Sequence, residues 1–144
     1  MKAPADPVAL ARACADLMWA DDHASPAMGM AIEDIAPGSA RMAMTVAPHM
    51  VNGHGLCHGG FIFALADSAF AFACNSHNEK SVAQHCGITF LRPAKLGMRL
   101  VANAQERSRS GRSGVYDVTV TANGEVIAEF RGASRSIGER FLEA

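Results

Sequence analysis

The sequence predicts an α+β domain in which an antiparallel sheet of six strands curls around one long apolar helix, with a short helix ahead of it. Three observations carry that expectation. Residues 61–74 hold only two polar side chains, Asp67 and Ser68, among apolar residues rich in alanine. Alanine favours helix over strand, and a helix apolar all round has to be covered all round. From residue 82 onward apolar and polar residues alternate with the period of two that marks strands. Finally, Asn123-Gly124 separates two of those runs, and this dipeptide suits the left-handed positions of a two-residue hairpin, so the strands it joins run antiparallel.

The other elements follow in order. Asp6 is suited to cap a helix and Pro7 to open it. Leu10, Cys14, Leu17 and Met18 then share one face of a helix over 7–19, which residues 21–27 are expected to break. Strands at 28–36 and 39–47 meet at Pro37-Gly38. In the second, Ala40, Met42, Met44 and Val46 alternate with Arg41, Ala43 and Thr45, as in a half-buried strand. A loop rich in glycine and histidine covers 48–60. The apolar helix, at about 1.5 Å per residue, is ~21 Å long, too short to span a bilayer, and it ends at Asn75-Ser76. Strands at 82–91, 96–108, 114–122 and 125–137 complete the sheet, with Pro93 closing the first and a loose turn over 108–113. The domain proper is expected at 28–138, between a helical extension (1–27) and a tail (139–144).

Composition narrows the function classes. At 144 residues the chain suits one domain with a core of its own. A net charge of −1 argues against nucleic acid as a partner. The charge is uneven: residues 1–91 carry four basic and eight acidic side chains, residues 92–144 nine and six. That leaves the second half mildly cationic, with Arg107, Arg109 and Arg112 grouped near one turn, either as anion contacts or as a solvated hairpin tip. Cys14, Cys57, Cys74 and Cys86 show no paired spacing, so free thiols in a reduced, cytoplasmic setting are expected. Arg12 and Asp16 interrupt any secretion signal, and no membrane association is expected.

The chemistry concentrates in residues 52–68, NGHGLCHGGFIFALADS. An ionised Asp67 in so apolar a helix costs several kcal/mol unless it is paired or faces a cavity. It is therefore a helix cap, an arginine partner, or a poised carboxylate in a site, and sites are where perturbed acids collect. Gly59-Gly60 stand where the loop enters the helix. Backbone N–H groups there are unsatisfied and carry the positive end of the helix dipole, and with no side chain at Gly59 a ligand oxygen can approach, as in an oxyanion hole. His54, Cys57 and His58 make a poor metal set, because neighbours at 57 and 58 fit no common zinc spacing; no metal is expected. A Cys57–His58 dyad fails because adjacent side chains rarely face each other. His58 is expected to fix the loop or donate to a substrate carbonyl.

Spacing adds a condition. Eight residues separate Gly59 from Asp67, about 12 Å along a helix, whereas groups acting on one carbonyl must come within ~3 Å of it. If both act, Gly59 of one subunit works with Asp67 of another, and the site needs a dimer.

HGGFIFALADSAFAFACNS, with Asn52 before it and ITFLRPA at 88–94, strongly resembles the hotdog-fold acyl-CoA thioesterases of phenylacetic acid degradation, the PaaI type. GVYDV at 114–118 and FRGASRSIG at 130–138 are similar too, so the resemblance covers residues 28 to 138. It implies the hotdog fold, a six-stranded antiparallel sheet around the long helix, in homodimers and usually homotetramers. It also implies hydrolysis of aryl- or (hydroxy)phenylacetyl-CoA, coenzyme A being part of the substrate and no cofactor needed. Asp67 matches the family's general base or nucleophile, and the Gly59 amide its carbonyl-polarising donor. His58 and Asn52 match residues that position thioester and water, while Gly60 and Ser68 fall at substrate-binding positions. A hotdog dehydratase or hydratase, which pairs a histidine with an acid placed differently, and a non-catalytic acyl-CoA-binding module are the rivals. Thiol release from acyl-CoA separates them from hydrolysis.

Overall fold

A computed structural model describes residues 1–144. Helix α1 (Pro7–Asp21) opens on Asp6, whose carboxylate accepts the Ala9 N–H, and a short helix α2 (Ala24–Ala27) follows. Strands β1 (Ala31–Ala36) and β2 (Ser39–Thr45) form a hairpin. Helix α3 (Gly59–Cys74) comes next, then β3 (Ser81–Phe90), β4 (Arg99–Ser110), β5 (Ser113–Ala122) and β6 (Glu125–Ser136). The strands make one antiparallel sheet in the order β1-β2-β4-β5-β6-β3. Helix α3 therefore carries the chain from one side of the sheet to its far edge, crossing its concave face.

The core lies between that face and α3. Met42, Met44, Leu100, Val118, Val120 and Phe130 are buried from the sheet, against Ile62, Leu65 and Phe70 of the helix. Ala66, Ala69, Ala73, Ala102 and Ala104 are buried as well, and residues this small let helix and sheet backbones approach. Phe70 sits between Tyr116 and Phe130, at ring-centroid distances of 5.7 and 5.8 Å. Beneath it Gly132 leaves the room the ring needs, since a Cβ there would lie 2.8 Å from two ring carbons. Gly132→Ala is expected to destabilise the fold by about 1–3 kcal/mol through overpacking, read as a lower urea midpoint at unchanged slope.

At the C-terminal end of α3, Glu106 of β4 accepts hydrogen bonds from the Tyr116 hydroxyl (2.8 Å) and His77 Nε2 (2.7 Å). Burial alone would raise the Glu106 carboxyl, but the Tyr116 and His77 bonds overcome it and hold the group below its ordinary value. A depressed folded-state value stabilises the fold above the unfolded carboxyl value of about 4.3 and loses that contribution as pH falls through the folded one. Thermal midpoints measured from pH 7 downward are expected to fall in acid, and Glu106→Gln to fall less over that window.

Several boundaries differ from expectation for physical reasons. Residues 21–27 do not simply break α1: Asp22 accepts the Ser25 N–H at 2.9 Å and so starts α2. The buried face of α1 is Ala11, Cys14 and Ala15, while Leu17 is exposed, because small residues seat the helix closely and larger ones lie at its flank. The turn expected to be loose over 108–113 is tight: Ser110 pairs with Ser113 and only Gly111-Arg112 intervene. β1 begins at Ala31 and β4 at Arg99, each a few residues inside the expected run, since Gly29 and Gly97 take positive φ of 74° and 84°. The tail is tied to the domain, for Asn78 donates to the Leu142 carbonyl and accepts the Leu142 N–H, both at 2.9 Å, and Ala3 N–H in turn bonds to the Glu143 carbonyl at 2.7 Å.

Candidate active site

The loop before α3 is built by its own backbone. Asn52 N–H bonds to the Leu56 carbonyl (2.8 Å), and Asn52 Oδ1 accepts the His54 and Leu56 N–H groups at 3.0 and 3.2 Å. Cys57 N–H bonds to the Ala94 carbonyl and His58 N–H to the Met50 carbonyl, at 2.8 and 2.7 Å. This pinning fixes where the helix begins. His58 is the N-cap, its Nδ1 accepting the Gly60 N–H at 2.9 Å, and Phe61 N–H bonds to the His58 carbonyl at 3.0 Å. The Gly59 N–H is left with no acceptor in the chain. It is a first-turn amide at the positive end of the dipole, available to a ligand oxygen.

Gly59 borders a cleft of about 470 Å³ with Asn52, Ile62, Phe90, Arg92 and Pro93. The space beside it is not open as the sequence suggested. The Phe90 ring fills it, and a Cβ on Gly59 would lie 2.9 Å from Phe90 Cζ. Glycine is needed there because the ring takes the place a side chain would occupy. Gly60 has its N–H engaged by His58, so what it offers a substrate is a lack of side chain, not a donor. The Cys57 thiol is buried and turned to the His58 carbonyl at 3.6 Å, away from the imidazole.

Asp67 stands in mid-helix, two turns and more beyond Gly59, in an α3 unbroken from Gly59 to Cys74. It caps nothing, and no cation pairs with it. Its Oδ1 receives one bond, from the Cys86 thiol of β3 at 3.9 Å. Burial raises the Asp67 carboxyl above its ordinary value, and the Cys86 bond offsets part of that rise. A carboxylate that is desolvated, unpaired and partly open is suited to take a proton or to attack a carbonyl.

Ser68 reaches out of the sheet's embrace to the segment before β1. Its Oγ lies 3.0 Å from Ser25 Oγ, and Ser25 Oγ donates to Asp22 Oδ2 at 2.7 Å. Since a carboxylate only accepts, the Ser25 proton goes to Asp22 and Ser68 donates to Ser25. The Ser68 oxygen then has only lone pairs left to offer a substrate. Of the arginines grouped at 107–112, Arg107 pairs with Asp117 and Arg109 with Glu79, both at 3.2 Å, while Arg112 has no carboxylate partner. Sequence reasoning missed Asp22, Ser25 and Cys86. An aspartate at the start of a helix is a common acceptor for first-turn N–H groups, whereas nothing in the sequence pairs Cys86 with Asp67.

One side of α3 is not covered by its own chain. Gly60, Ala64, Asp67, Ser68 and Ala71 all keep some exposure and follow one another at helical spacing. Alongside them β3 forms the sheet edge, with Val82, Phe90 and Leu91 at 51%, 49% and 53% exposure.

Residues 54–128 match the thioesterase superfamily, a span that holds both Gly59 and Asp67. This chain belongs to the thioesterase superfamily. It is an enzyme of that class, and its sheet wrapped on α3 is the hotdog fold. The acyl-coenzyme A thioesterase PaaI of Escherichia coli K12 is 45% identical over 125 residues, 86% of this chain and 89% of the relative. The solved structure of the E. coli PaaI protein from the phenylacetic acid degradation operon superposes with a TM-score of 0.92 at 41% identity, covering 94% of this chain and 99% of that one. A Streptococcus mutans protein solved with acetyl-CoA bound is similar at a TM-score of 0.74 and 25% identity, over 77% of this chain and 90% of that one.

Proposed function

We propose that this thioesterase hydrolyses acyl-CoA, with aryl- or (hydroxy)phenylacetyl-CoA as the preferred class, to the free acid and coenzyme A. The observation that carries the reading is Asp67, a carboxylate kept in an apolar helix with neither a cation nor a capping role to account for it. Acting as base, it takes a proton from water as the water attacks the thioester carbon and gives it to the coenzyme A thiolate expelled when the C–S bond breaks. Acting as nucleophile, it attacks that carbon itself; the thiolate leaves and takes a proton from water, and water then cleaves the acyl-aspartate anhydride to the free acid. The carbonyl oxygen, gaining negative charge, is held by the Gly59 N–H at the positive end of α3. His58 keeps that amide in place by capping Gly60, and Asn52 shapes the loop wall of the same cleft. Ser68 and Gly60 border the acyl group, where the acceptor face of Ser68 favours an acyl chain that carries a hydroxyl.

The two working groups lie eight residues apart on one helix, about 12 Å, so a homodimer brings the Gly59 amide of one protomer to the partner's Asp67. The uncovered stripe of α3 and the apolar edge strand β3 support this pairing, with two dimers forming a homotetramer. The acyl-CoA thioesterase activity of the E. coli relative and the acetyl-CoA bound to the S. mutans protein support the substrate class. A panel of aryl-CoA and straight-chain acyl-CoA thioesters assayed for thiol release tests the reading. Aryl thioesters are expected to turn over fastest. Absence of release from every member would overturn it.

A further inference from the structure

We infer that Cys86 is the positioning residue of the catalytic carboxylate, its thiol holding Oδ1 of Asp67 so that Oδ2 is the oxygen that acts. The inference rests on the catalytic reading of Asp67 and goes beyond it. Cys86 lies on β3 opposite Gly132 in the register. That places its side chain on the face toward α3, the face on which Gly132 meets Phe70. Its Sγ is 3.9 Å from Asp67 Oδ1, and no other side chain or amide donates to that carboxylate.

The surroundings leave the thiol as the one group in position to orient it. His85, next along β3, opens on the opposite face of the sheet with Asp117, Glu129 and Arg131. On α3 itself the nearest titratable side chain is Cys74, seven residues on, buried and turned to the Ala71 carbonyl. From α2 the nearest acid is Asp22, which is occupied by Ser25 and reaches α3 only through Ser68. Gly59 and Phe90 lie at the other end of the helix. Without Cys86 no hydrogen bond from the chain would distinguish the two oxygens of the carboxylate.

The residue type matters as much as its place. A thiol is a weak, long-reaching donor. It fixes the direction of the carboxylate while leaving it basic, whereas a hydroxyl at the same point would bind it more strongly and make it a poorer base. The Cys86 thiol is itself held in its protonated, donating form by burial and then by the nearby Asp67 charge, both of which raise it.

The test compares pH profiles of kcat and kcat/KM for the full-length wild type, Cys86→Val and Cys86→Ser, with Asp67→Asn alongside. Valine keeps volume and removes the donor. It is expected to move the acid limb of kcat/KM upward by about half a pH unit and to lower kcat roughly tenfold, with KM within about twofold. Serine is expected to move the acid limb downward and to recover part of kcat. If the three acid limbs coincide while Asp67→Asn is inactive, Cys86 only packs and the inference falls, the catalytic reading standing. If Asp67→Asn turns over normally, the reading of Asp67 falls first. Should Cys86→Val fail to fold by circular dichroism, the serine variant decides alone, because an unmoved limb in it is equally fatal.

Discussion

Asp67→Asn is expected to fold as the wild type does and to lose thioester hydrolysis by about 10²- to 10⁴-fold, the range a positioned base or nucleophile supplies. The fold should be indifferent because the carboxylate takes no part in a cap or ion pair, and its one bond is the long contact from Cys86. An amide has nearly the same shape and relieves the expense of a charge in an apolar helix, so the thermal midpoint is expected to hold or rise. Substrate binding should survive, since Asp67 is not the group proposed to hold the carbonyl oxygen. Turnover of a good aryl-CoA substrate measured beside its KM checks this; near-wild-type turnover would remove Asp67 from the chemistry.

The second large effect is expected at Gly59. In Gly59→Ala the new Cβ falls 2.9 Å from Phe90 Cζ, so the ring is driven out across the cleft that the free amide faces. Loss of a well-placed oxyanion donor lowers turnover by about 10²–10³-fold, and Gly59→Ala is expected in that range. Adding Phe90→Ala relieves the clash, so some activity should return in the double variant if the effect is steric. The pair Asp67→Asn and Gly59→Ala also reports on the shared site. After mixing and exchange, half of the dimers are hybrids, each holding one intact site and one doubly altered site, so about a quarter of the wild-type rate should reappear. Confirmed exchange with no recovery would overturn the shared site, since Gly59 and Asp67 of one helix lie too far apart to act on one carbonyl.

The six strands, the long helix and their order were legible because each announces itself by period or punctuation. Asn123-Gly124 takes the two positive φ angles, 52° and 79°, that its hairpin needs. Within the site, Asp67 and Gly59 were legible for a related reason, being a charge and a missing side chain where neither is expected. What could not be read was contact between elements far apart in sequence. The Phe90 ring over Gly59, Cys86 against Asp67 and Ser25 on Ser68 are consequences of how α3 is laid across the sheet. A polar residue such as Ser25, or a small apolar one such as Cys86, looks the same in sequence whether it packs or takes part. The same limit explains α1, where close seating selected the alanine face over the leucine face.

The exposed edge of β3 has a bearing on the protein's persistence as well as its catalysis. Val82, Phe90 and Leu91 flank an unpaired strand edge, the kind of surface on which unrelated chains add and precipitate. The contact proposed to complete the active site would also shield that edge. Substitutions that loosen it are therefore expected to appear first as poor recovery from expression and only then as low activity. Catalysis and colloidal behaviour would be selected together, through one and the same strip of backbone.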